Sequence, residues 1–282
     1  MYFYIALLSG VFFTGSDLIS RYVLKDKVTD HWAFSFYFSF VGALVNLPLM
    51  IINFKAPAGS NLWWMLFAVG TLIVINNFLF FRAQKFINPS LLGVLSKFRL
   101  LWILLLGVFI LHESLTLNKG LGTLLVIVAG LLLIKYKKSQ TKIFNKGMLY
   151  GFLATFFYAV VIILYKFLLE GFSPATLTFM IFAIPAVINF IVMPNRMSRI
   201  STLAKTKGQW VLLACALGAF ANLFMNSALN IGEATQVIVI IESFLVAVLI
   251  GEHFILKEKK NAIQKLIAVT LAIVGAILVK IQ

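Results

Sequence analysis

The fold class predicted for this chain is an all-α integral membrane protein of ten spans, on three observations. Of its 282 residues, 62% are hydrophobic and 12% charged, with a mean hydropathy of +1.02. A soluble domain is about half apolar and about a quarter charged. The apolar residues gather in runs of the length a helix needs, about 20 residues, to cross the hydrocarbon core. The runs also fall into two halves that match in register. This composition excludes a soluble globular enzyme, a disordered chain and a secreted disulfide scaffold. The net charge of +15 sits in short loops between the runs, which fits membrane orientation rather than nucleic acid.

The predicted spans are 2–24, 31–54, 62–86, 89–111 and 117–136 in the first half. In the second they are 147–169, 175–194, 209–230, 234–256 and 262–280. The first run starts at Tyr2 without a basic leader or a small-residue cleavage site, so it reads as a retained helix. Turn and charge clusters punctuate the runs: Lys25-Asp26-Lys27, Ala56-Pro57-Ala58-Gly59, Asn88-Pro89 and Lys137-Lys138-Ser139-Gln140. A membrane barrel would show alternating segments of about ten residues, and these runs do not alternate. The single cysteine, Cys215, lies within an apolar run and permits no internal disulfide.

Shifting the chain by 145 residues places Asn77 on Asn222, Lys97 on Glu242, Gly130 on Gly275 and Lys135 on Lys280. It also places Phe109-Ile110-Leu111-His112-Glu113 on Phe254-Ile255-Leu256-Lys257-Glu258. The expected organisation is a five-helix repeat over 1–138, a basic linker over 139–146 and a second repeat over 147–282. Five spans per half invert the second repeat in the membrane, the build of many secondary transporters.

The run Leu111-His112-Glu113-Ser114-Leu115-Thr116, followed by Gly122 and by Gly130 closing an aliphatic span, resembles the EamA-type transporters of the drug/metabolite transporter superfamily. Glu258 and Gly275 repeat the spacing of Glu113 and Gly130. Glu242-Ser243 is similar to the Glu-Pro of the fourth helix of a repeat in that family, with Ser in place of Pro, and Lys97 holds that place in the first half. The resemblance implies a ten-helix transporter whose cargo is drawn from amino acids, sugars, nucleotides, cations and drugs. In the sugar-phosphate and nucleotide-sugar carriers that it resembles, a Lys commonly stands in this helix.

Ionisable groups inside spans are expensive in lipid and mark function by default. Glu242 is the foremost, as a substrate ligand or an ion-coupling switch, against a structural pair with Lys97. Lys97 is the mirrored candidate for an anionic group. Arg99 stands two residues on, about 200° around the helix, and is expected to turn elsewhere. Asp17 and Arg21, spaced i,i+4 with the acid first, read as a local charge pair. Asn77, Asn222 and Asn226 are cavity or packing amides, the last two on a four-residue stripe with Ala214 and Gly218. Tyr158, Tyr165 and Trp102 are the aromatic candidates. His112, Glu113 and Glu258 read as loop-ordering or interfacial groups at span ends, and Ala268, Ala272 and Ala276 as packing rather than a dimer face.

No His/Cys ligand set and no phosphate-cradling Gly-rich loop is present, so neither metal, other cofactor nor direct ATP coupling is expected. Eighteen of the 24 Lys and Arg fall on the side reached after the first span, which predicts termini outside and a cell-membrane location. The expected partners are the bilayer, a small molecule and, in one reading, a proton, with a monomer favoured. The expected function is a secondary transporter, an exporter of small polar metabolites such as amino acids. Lys97 takes the carboxylate and Glu242 the ammonium in that reading. The alternatives are a proton-coupled exporter of organic cations and a non-transporting scaffold or lipid-handling subunit.

Overall fold

The computed structural model describes residues 1–24, 30–87, 89–132, 146–255 and 262–281. Ten helices run through them, and no strand occurs among the described residues. They are α1 (Tyr2–Leu24), α2 (His31–Ile52), α3 (Asn61–Phe86), α4 (Pro89–Ile110) and α5 (Leu117–Leu132). The second half supplies α6 (Lys146–Gly171), α7 (Pro174–Val192), α8 (Arg196–Ile231), α9 (Ala234–Ile255) and α10 (Ala262–Lys280). Among the described residues six helices are long and apolar enough to cross a membrane: α1, α2, α3, α6, α7 and α8.

Local chemistry sets the helix ends. Asp30 caps α2, its carboxylate accepting from Trp32 N at 2.8 Å and Ala33 N at 3.3 Å. Ser173 caps α7, accepting from Thr176 N at 3.2 Å, and Pro174 follows where a missing N–H is harmless. His112, with φ 53, ends α4 in a left-handed turn.

The largest departure from the predicted spans is in α8. Residues 196–206, expected between spans, are helical and join the span through a kink at Lys207 (φ −141, ψ 22). The extension is mostly exposed and is pinned to α1 and α2. Leu203 packs with Val23, Ala33 and Phe34, Arg199 pairs with Asp30 at 2.8 Å, and Lys207 Nζ donates to Val23 O at 3.0 Å. Hydropathy averaged over a span-length window does not register so short a polar helix.

The chain divides into two compact units. The first, residues 1–74 and 165–231, is built on α1, α2, α7 and α8. Ser9 Oγ and Ser16 Oγ on α1 donate to Ala221 O and Ala214 O on α8, both at 2.8 Å, and Gly218 lies under the Phe38 ring. Ala214 and Gly218 of the small-residue stripe therefore let helices approach, as such residues do in bilayers. The second unit, residues 75–164 and 232–282, is built on α4, α5, α6, α9 and α10. Here Ala268 and Ala272 of α10 pack with Ala129 of α5. Gly122 and Gly275 meet backbone to backbone across the same pair of helices. A β-carbon on Gly122 would fall 2.5 Å from Gly275 O, and one on Gly275 would fall 2.7 Å from Gly122 O.

A backbone cannot swing aside as a side chain does. Gly122→Ala is accordingly expected to destabilise the chain by about 1–3 kcal/mol, the range of overpacked cores. Gly120→Ala, on the same helix with nothing within 4 Å, is expected to be neutral or stabilising. Thermal unfolding of the detergent-purified protein measures both.

Candidate functional site

Glu242 lies about two turns into α9, and its side chain is 3% exposed. Lys97 and Arg99 approach it from α4. Lys97 Nζ donates to Glu242 Oε2 at 3.2 Å, and Arg99 Nη2 donates to Glu242 Oε1. Both carboxylate oxygens are thus held by cations. Positions 97 and 242, equated by the 145-residue register, are in direct contact.

The stem of Lys97 crosses Gly130 on α5. A β-carbon at Gly130 would stand 2.5 Å from Lys97 Cε and 2.8 Å from Cδ. The glycine that closes the aliphatic span thereby leaves the corridor through which the lysine reaches its acid. Arg99 does not turn away from Lys97 as helix geometry alone suggests. The angle between Cβ directions constrains short side chains, but Lys and Arg span several rotatable bonds and wrap to a common partner.

Aromatic side chains of α6 flank the cluster. The Arg99 guanidinium lies 5.1 Å from the Tyr158 ring centroid, within cation–π range. Trp102, one turn beyond Arg99, packs edge-on against Phe152 and Phe156, each at 5.3 Å. Its indole N–H is buried without an acceptor.

A second charged cluster ties the ends of α4, α5 and α9 together. Glu113, 8% exposed, accepts from Ala234 N at 2.5 Å and Thr235 N at 3.3 Å, capping α9 from a distant part of the chain. Lys119 is fully buried, and its Nζ donates at 2.5 Å to both Glu233 Oε2 and Ser114 O. Gly107 makes room for this arrangement, since a β-carbon there would stand 2.9 Å from both Glu113 Oε2 and Thr235 Oγ1. The sequence reading gave Glu113 a loop-ordering role. Lys119 and Glu233 are not among the sequence candidates, and the only signal for Glu233 is its place just before the ninth predicted span.

The remaining candidates fall in both units. Asn77 is half-buried on α3 in the second unit, next to Asn76, whose Oδ1 is buried without a hydrogen bond. Asn222, Asn226 and Tyr165 belong to the first unit. Asn222 Nδ2 donates to Gly218 O at 2.8 Å within its own helix. Asn226 is fully buried and donates to Thr178 Oγ1 at 2.9 Å, joining α8 to α7. Tyr165 is 4% exposed. Asp17 is exposed on α1, and the Arg21 side chain of the expected pair lies outside the described residues, as does Glu258. No group of three or more His, Cys, Asp or Glu suited to a metal occurs among the described residues.

Apolar helices of membrane-spanning length, with a charge cluster sealed between two helices, define a multi-pass membrane protein. The EamA-like transporter family matches residues 1–135 and 145–281, and the chain belongs to that family, a membrane transporter of the drug/metabolite type. No curated protein matches the sequence. A solved structure, described only as the crystal structure of a protein, has the same fold. It superposes with a TM-score of 0.75 at 15% identity, over 98% of this chain and 95% of that one.

Proposed function

We propose that the protein is a secondary transporter that exports small polar metabolites by alternating access, and that Lys97 and Arg99 take a carboxylate of the cargo. The observation that carries this reading is the unequal exposure of the cluster. The Lys97 and Arg99 side chains are 14% and 22% exposed, whereas Glu242 is 3% exposed. What a small molecule can reach is the cationic side. Amino acids satisfy the carboxylate half of this recognition, but their ammonium finds both oxygens of Glu242 engaged. The organic-cation reading is disfavoured because the more exposed members of the cluster are its two cations. Glu242 couples an ion, a proton in the simplest case, only in a state where the two cations turn from it to the cargo.

The build that fits is a pair of inverted repeats, 1–138 and 147–282, joined by the linker 139–146. Contact between Lys97 and Glu242, 145 residues apart, supports it, as does the family match in two stretches. Reconstituted vesicles test the function: the full chain should move carboxylate-bearing metabolites, and Lys97→Met should stop it. Vesicles that move no metabolite would refute it.

Orientation follows the basic loops, which place the 139–146 linker in the cytoplasm and both termini outside the cell membrane. Ser139→Cys is expected to resist an impermeant thiol reagent in intact cells and to react after lysis. Labelling of intact cells would reverse the orientation while leaving the fold unchanged. Cys215 is buried and does not compete for the reagent.

A further inference from the structure

We propose that the groove at the turn from α7 to α8 binds a phospholipid with an anionic headgroup. Between Glu170 and Glu233 the chain carries no acidic residue, and its cations there are Arg196, Arg199, Lys205 and Lys207. Arg199 pairs with Asp30 and Lys207 is held against α1, whereas Arg196 and Lys205 are exposed. This segment lies where the chain leaves the bilayer. The span-length helix α7 ends at Val192, and the span of α8 resumes past the kink at Lys207. Just beyond the kink Trp210, 48% exposed, packs edge-on against Tyr22 at 5.5 Å, as the aromatic residues of an interfacial belt do. Cations at that level face the charged headgroups of the membrane surface.

The groove has a volume of about 610 Å³ and is lined by Ile191, Met193, Asn195, Arg196, Met197 and Ser198. Its lining divides by chemistry. Ile191 and Met197, 67% and 68% exposed, are apolar, and Ile191 continues the exposed apolar surface of α7 at Val187 and Val192. Asn195 and Ser198 bring an amide and a hydroxyl beside Arg196. The Arg196 guanidinium is fixed in place: it lies 4.7 Å from the Phe190 ring centroid, and Nη1 donates to Phe190 O at 3.3 Å. A guanidinium held in this way offers the rest of its fork to a phosphate with little further loss of side-chain freedom. A soluble anion would use only the polar part of the groove. The apolar part, continuous with the outer surface of a span, suits an acyl chain entering from the bilayer. The inference is independent of what the protein moves.

The test uses the full chain in nanodiscs of phosphatidylcholine, alone or mixed with phosphatidylglycerol. Lipid retained after transfer to detergent is identified by native mass spectrometry. The wild type should retain phosphatidylglycerol in preference to phosphatidylcholine and should unfold at a higher temperature in the mixed discs. Arg196→Gln should weaken retention about fivefold, the weight of one basic residue at an anionic surface. Met197→Ser keeps the charge and should weaken retention about threefold through lost apolar contact. Lys55→Gln removes an exposed cation beyond the C-terminal end of α2 and should change nothing. Glycerol phosphate, a headgroup without acyl chains, should not displace the lipid at millimolar concentration.

Equal retention of the two lipids by the wild type overturns the proposal. So does an unchanged preference in Arg196→Gln and Met197→Ser together, which would put the lipid elsewhere on the chain. Displacement by glycerol phosphate would make the groove a site for soluble phosphates and overturn the lipid assignment. Arg196 also closes the end of α7, so the Gln variant can fail to fold. In that case Met197→Ser, whose side chain is exposed, and the wild-type preference decide the question without it.

Discussion

Glu242→Gln is expected to abolish transport and to lower the unfolding free energy by about 3–5 kcal/mol, the range for breaking a buried ion pair from one side. The loss is large because the carboxylate answers two cations. Its removal takes the carboxylate away from both Lys97 and Arg99 in a site where Glu242 was 3% exposed. Removing partners stepwise should therefore restore stability in steps. Glu242→Gln with Lys97→Met still leaves Arg99 without the Glu242 carboxylate and should recover only part of the loss. Adding Arg99→Leu recovers the rest, and transport stays absent throughout. Contacting groups couple by about 0.5–3 kcal/mol in such cycles and distant ones by nearly nothing. Equilibrium unfolding in detergent gives the coupling energies, and vesicle uptake gives the activity. Wild-type transport in Glu242→Gln would remove the acid from the mechanism.

Glu113→Ala is the second large effect, expected to cost about 2–4 kcal/mol. It combines the loss of a helix cap with the stranding of buried donors. The side chain accepts from Ala234 N and Thr235 N, and both N–H groups are buried. Without it the first turn of α9 has no acceptor for these groups, and α9 is the helix that carries Glu242. Vesicle uptake should fall along with stability. Glu113→Gln keeps the length and one acceptor oxygen, and should lose about half as much. Lys119→Met should be milder, because Glu233 is 31% exposed and water takes over its charge. Thermal unfolding that finds Glu113→Ala within about 0.5 kcal/mol of wild type would show that the cap is dispensable.

The membrane class, the helix boundaries outside α8, and Lys97 and Glu242 as matched candidates were legible in the amino-acid order alone; whether the two pair was left open there. Lipid makes them so. A span must be apolar for about 20 residues, and a repeat preserves register, so positions 145 apart are marked as equivalents. Gly130 was visible as a motif residue, but its use as the corridor for Lys97 was not. Three features were decided only in the folded chain. Arg99 joins Glu242 although the helix wheel points it elsewhere, because a long side chain is not confined to its Cβ direction. Lys119, three residues into its predicted span, is fully buried because its partner Glu233 comes from 114 residues away. Each compact unit draws helices from both halves. Periodicity and composition report what a segment needs to bury, whereas the partner that covers it is set by contacts remote in sequence, and those form only when the helices pack.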